Sequence, residues 1–172
     1  MSMFNQILSL LSGDAPASTR SDQLQVAVAA LMVHAAAMDD TFDATERRTI
    51  ERLLGERFAL PPDTVAKLLA AAETRAEESS QLYPFTRLAV EKLDQQGRVQ
   101  LIEMLWEVAY ADGVLDPDED ALLRRVAGLL YVSDYDRGEA RKRVLRRICL
   151  ANQNDTGQND TAKDKRQDEE GR

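Results

Sequence analysis

Cysteine and histidine are almost missing from this chain, which holds one of each, Cys149 and His34, in 172 residues. A disulfide framework needs two thiols, and a Cys/His zinc site or a two-histidine metal motif needs partners that are not there. Glycine and proline are sparse, at 8 and 5, and aromatics make up 5% of the sequence. A β-sandwich or barrel needs many turns, so this scarcity points to helices. No apolar run approaches the roughly 20 residues of a membrane span, and residues 1–11 have neither a basic n-region nor a cleavage site, so the expected location is the cytoplasm. Basic residues are outnumbered, with 22 Lys+Arg against 30 Asp+Glu and a net charge of −8. That balance repels phosphate backbones and anionic lipid, and no nucleic-acid partner is expected.

What the chain does hold is apolar residues at helical spacing. They are 44% of the sequence, and 172 residues are enough for one domain with a real core. Met3, Phe4, Ile7, Leu8, Leu10 and Leu11 line one side of a short helix that Gly13 and Pro16 close. Residues 1–20 are read as an amphipathic arm and linker, whose Phe4, Ile7 and Leu8 offer contact to the domain body, a partner or a membrane surface. From Leu24, the steps Val28, Leu31, Ala35 and Met38 mark a helix turned to a core. Further helices are expected over 44–58, from Pro61 and Pro62 to Ala76, over 82–93, 99–111, 117–130 and 136–150. In the 99–111 helix Ile102, Leu105, Trp106 and Ala109 face inward while Glu103 and Glu107 face out; Val144, Leu145 and Ile148 line the last one. The expectation is an all-α fold, a single helical domain of seven to eight helices over residues 21–150. Residues 151–172 hold no large apolar side chain, cannot offset their ordering entropy, and are expected to be a disordered polar tail.

The chain also repeats itself. A shift of 73 residues lays Leu31–Gly55 over Met104–Gly128 with six identities in 25 positions: Ala36/Ala109, Asp39/Asp112, Asp43/Asp116, Glu46/Glu119, Arg52/Arg125 and Gly55/Gly128. Each copy reads as a helix, a short acidic turn and a second helix, so the domain is expected to be built on two duplicated αα-hairpins about an approximate two-fold.

Much of each turn is helix grammar. Asp116 at the N-cap, Pro117 at the first helical position and Glu119 at the third form a capping box, as do Asp43 and Glu46, and Gly113 suits a left-handed residue. Capping leaves Asp39 and Asp112 unexplained, because each ends a helix where the macrodipole makes a negative side chain unfavourable by about 0.3–1 kcal/mol. Two readings stand. The acids converge on a hard divalent cation, calcium or magnesium, to which oxygen ligands are suited; or each Asp bonds amides of the next helix and closes its own hairpin. The spacing is not that of an EF-hand.

The two copies of Asp-x-x-x-Asp-x-x-Glu at helical elbows, the second as Tyr110-Ala111-Asp112-Gly113-Val114-Leu115-Asp116-Pro117-Asp118-Glu119, resemble the TerB-like domain of tellurite-resistance proteins. The likeness covers about Leu24–Ile148 and is strongest over Trp106–Leu130; Leu82-Tyr83-Pro84-Phe85 and the amphipathic start resemble stand-alone bacterial members. The resemblance implies an all-helical duplicated core, metal-binding acidic loops at Asp39, Asp43, Glu46, Asp112, Asp116 and Glu119, and a scaffold role in stress responses organised at the inner membrane. Its partners would be proteins, some membrane-associated. The first copy departs from the motif, with Asp40 where the glycine would stand.

Outside the turns, His34 has no Ser or Cys partner for catalysis and reads as a packed or half-exposed helix residue. Cys149 reads as a small core residue, with a thiol made reactive by Arg146 and Arg147 as the alternative, and Met104 and Trp106 read as core. Arg137, Arg141, Lys142, Arg143, Arg146 and Arg147 make one basic helix, read as a solvated face or as salt bridges to the acidic turns, with an anionic partner as the alternative. The functional expectation is a non-enzymatic interaction module; the alternative is a metal-dependent hydrolase using the same carboxylates, which lacks a Gly-rich phosphate loop.

Overall fold

The computed structural model of the protein describes residues 19–37, 44–113, 115 and 117–167. Seven helices run through them: α1 (Thr19–Ala36), α2 (Ala44–Phe58), α3 (Pro62–Glu78), α4 (Tyr83–Lys92), α5 (Gln95–Ala109), α6 (Pro117–Leu129) and α7 (Asp134–Gln167). The helical arm expected over residues 1–20 lies almost wholly outside the described residues.

Local chemistry sets the helix starts. Pro61 is the N-cap of α3 and Pro62 its first residue, where a missing N–H costs nothing. The Asp94 carboxylate accepts from Gly97 N at 2.7 Å and starts α5 four residues before the expected Val99. A Cβ at Gly97 would sit 3.1 Å from that carboxylate and 3.2 Å from Leu93, so glycine lets the cap close. Ser133 and Asp136 exchange bonds at the start of α7: Asp136 N donates to Ser133 Oγ at 3.1 Å, and the Ser133 hydroxyl donates back to the Asp136 carboxylate at 2.8 Å.

α1 sits at the centre. Its segment Ala27–Val33 is buried on every side, as expected of a helix apolar all round, and it packs against α2, α3, α4, α5 and α6. α5 is the second central helix, with Leu101, Ile102, Leu105, Trp106 and Val108 in the same core. α3 covers α1, α7 covers α5, and α4 crosses α1 to reach α6.

The duplication is present and larger than the hairpin read from the sequence. α1 ends at Ala36 and α5 at Ala109, while α2 begins at Ala44 and α6 at Pro117; both pairs are 73 apart. Beyond the second helix the register slips to 72. Leu60 N donates to Gly55 O and Val132 N to Ala127 O, two matching helix ends, each with a left-handed non-glycine residue, Ala59 (φ 51°) and Tyr131 (φ 55°). α3 then matches α7: buried Leu68 and Ala72 of α3 lie over buried Ala140 and Val144 of α7. The repeat unit is therefore three helices, and α4 joins the two.

Two side-chain expectations are corrected, and α7, expected over 136–150, spans Asp134–Gln167. Cys149 is exposed, because on α7 it lies off the inward stripe Ala140–Val144–Ile148. Leu145 is also exposed for that reason.

Candidate functional site

The second acidic turn leaves α5 through Tyr110. Ala111 N donates to Val108 O and Gly113 N to Tyr110 O, and Gly113 takes the left-handed conformation expected of it, with φ 87°. Asp112 on this turn is exposed. Glu119 and its counterpart Glu46 stand at the third positions of α6 and α2, and each is only 6% exposed. Burying a carboxylate is costly unless it is engaged, and neither of these is without a partner. Asp39, Asp43 and Asp116, like Phe4, Ile7 and Leu8, lie outside the described residues. Among the described residues no three His, Cys, Asp or Glu side chains are grouped to hold a metal ion.

One side chain holds the second turn at both ends. Arg141 of α7 donates from Nε to Tyr110 Oη at 2.7 Å, lies 5.0 Å from the centre of the Trp106 ring, and reaches Asp120 on α6 at 3.9 Å. Tyr110 stacks on Trp106 with ring centres 5.8 Å apart. The first repeat has Val33, Ala37 and Leu69 where the second has Trp106, Tyr110 and Arg141, so the clamp belongs to one turn alone.

Two further residues of the basic helix, Arg143 and Arg147, face α5 rather than the turns, while Arg137 pairs with Asp134 and Lys142 with Glu139 along α7 itself. Arg143 Nε donates to Glu103 at 2.6 Å, and Arg147 Nη2 reaches Glu103 at 3.2 Å and Glu107 at 2.8 Å. From the other side Arg52 of α2 donates to Glu107 at 3.0 Å. Burial works to lower the Arg52 pKa, but its bonds to Glu107 and Glu56 outweigh that and hold it above the ordinary value. Five charges thus alternate across α2, α5 and α7. The sequence separated Glu103 and Glu107 from the core face correctly, but it could not show which arginines would meet them.

His34 is half-buried on α1, its ring 5.8 Å from that of Phe85, and burial lowers its pKa against a hydrogen bond at the Ser79 backbone. Trp106 and Met104 are core residues, as expected.

A family model described as "Tellurite resistance protein TerB" matches residues 25–142. Comparison with curated proteins gives no match, and comparison with solved structures gives none.

Proposed function

The chain belongs to the TerB family of tellurite-resistance proteins, and from that membership we propose that it is a non-enzymatic interaction module whose two acidic turns respond to a divalent cation. The observation that carries this reading is the equal treatment of Glu46 and Glu119, buried to the same degree at matching places beside the two turns. A donor set of Asp39, Asp43, Glu46, Asp112, Asp116 and Glu119 is all oxygen and suits calcium or magnesium. A bound cation would neutralise the turns and draw their two hairpins into one fixed arrangement. Arg141 ties the second turn to α7 through Tyr110 and Asp120. Among the described residues no helix is long and apolar enough to cross a membrane, so contact with membrane-associated stress machinery would run through a protein partner or the arm residues Phe4, Ile7 and Leu8.

The test is calorimetric melting with calcium or magnesium against a monovalent salt of matched ionic strength. A cation that binds only the folded form stabilises it by about 2.7 kcal/mol at a hundred times its dissociation constant. The expected result is a divalent-specific rise in Tm that shrinks in Asp39→Asn and in Asp112→Asn. An equal rise in both variants, or none in the parent, overturns the metal reading.

A further inference from the structure

The two repeats close the corner between their second and third helices differently. In the second repeat the segment in front of α5 folds back over it. Leu93 Cβ lies 3.2 Å from where a Cβ at Gly97 would stand, and Arg98 Nη1 donates to Leu130 O at 3.2 Å. Leu130 is fully buried there, and Val132 is 6% exposed. The first repeat carries Leu24 and Gln25 in place of Gly97 and Arg98, and Phe58 and Leu60 in place of Leu130 and Val132. Phe58 and Leu60 are only half-buried, and so are Leu24 and Val26 in the first part of α1.

These four apolar residues stand at one end of the molecule. His34, near the end of α1, meets the Ser79 backbone just past α3, and Phe85 of α4. The ends of α1 and α3 therefore coincide, and because α3 packs against α1, their starts coincide as well. The corner Phe58–Leu60, which leads into α3, lies at the start of α1.

The chain in front of α1 is residues 1–18, and it departs from this same end. Its Met3, Phe4, Ile7, Leu8, Leu10 and Leu11 are apolar, and residues 1–13 carry no charged side chain. Extended, residues 12–18 span up to about 23 Å, enough to return a short helix to the corner. An uncharged apolar segment suits Leu24, Val26, Phe58 and Leu60 because it brings no charge to be dehydrated, and the Leu60 amide is already engaged by Gly55 O at 3.1 Å. Four half-buried side chains offer far less than the roughly 1,000 Å² that a stable interface between separate molecules needs, whereas a tethered segment meets them at high effective concentration.

We propose that the Phe4–Leu11 segment folds back onto Leu24, Val26, Phe58 and Leu60 and closes the first repeat, as Leu93 and Arg98 close the second. Docked in this way, Phe4, Ile7 and Leu8 are internal contacts, and release of the segment presents them and the corner together to a partner. The acidic turns take no part, so the outcome of the metal test leaves this proposal untouched.

The experiment is paramagnetic relaxation measured by NMR on the full chain. Cys149→Ser removes the native thiol, and a nitroxide is attached at Ser9→Cys, a polar position of the segment. The expected result is that the amide signals of Leu24 and Leu60 lose most of their intensity, while those of Ser79 and Tyr83, about 27 Å away at the other end of the 18-residue α1, keep theirs. Ile7→Ser with Leu8→Ser in the same chain restores the Leu24 and Leu60 signals. Equal intensities at both ends of α1 overturn the proposal, and so does broadening that the Ile7 and Leu8 pair leaves unchanged. Mixing nitroxide-bearing chain with isotope-labelled chain that lacks the nitroxide should leave all signals intact. Broadening in that mixture makes a second copy's segment the occupant and overturns the proposal too.

Discussion

Arg47 on α2 and Asp120 on α6 occupy the same position in the two repeats, 73 residues apart, and carry opposite charges. Arg47 pairs with Glu73 of α3, and Asp120 with Arg141 of α7 at 3.9 Å. Each repeat ties its second helix to its third across the same seam, with the polarity reversed.

The Arg47–Glu73 pair is partly exposed, so its coupling is expected to be small, about 0.2–1 kcal/mol and reduced by salt. A double-mutant cycle of Arg47→Ala and Glu73→Ala, followed by chemical denaturation, measures it directly. Zero coupling at low salt would mean that the seam is held by its apolar residues alone.

His34 makes stability depend on pH. Its pKa is lowered from the ordinary 6.5 in the folded chain, first by burial, so the unfolded chain takes up the proton more readily. The contribution is complete above about pH 6.5 and is lost as pH falls through the window below it, down to the lowered folded value. Denaturation midpoints measured between pH 7.5 and 5 should fall for the parent, and His34→Gln should flatten the His34 part of that slope. An unchanged slope would place the dependence elsewhere.

Trp106 is the one tryptophan, and its fluorescence reports on the Arg141 clamp. Replacing Arg141 by Gln removes a cation from the ring face and the bond to Tyr110, an expected loss of about 1–2 kcal/mol, with a changed emission intensity. An emission spectrum identical to the parent's would show that the guanidinium does not rest on the indole in solution.

Deleting residues 152–172 should leave the melting temperature within about 2 °C of the parent's, because the removed segment has no large apolar side chain with which to hold the body. Scanning calorimetry on the truncated chain checks this, and a loss of several degrees would show that the polar end of α7 carries part of the stability.

The all-helical fold, the hairpin duplication and the inward faces of α1 and α5 were legible because each is written in local spacing: apolar steps of three and four, and acid-turn residues at a constant shift. The third helix of the repeat was not, since the register slips by one residue at the left-handed corners Ala59 and Tyr131, and buried Leu68 and Ala72 are matched by Ala140 and Val144 without identity. Glu46 and Glu119 were legible as helix-start residues, while their burial depends on neighbours from distant helices. The same holds for Cys149: composition favours the interior for a cysteine, but its place on α7 is set by Ala140 and Val144. The arginine network escaped because side-chain pairing between α2, α5 and α7 has no sequence period.

α1 touches five other helices, and this has a consequence for how the chain comes apart. In a repeat array each unit can open while its neighbours stay closed. Here neither three-helix unit can open without uncovering the buried segment Ala27–Val33, which serves both. The amide protons of that segment should exchange with deuterium only through global unfolding, at one common slow rate, so a duplicated molecule behaves as a single cooperative unit.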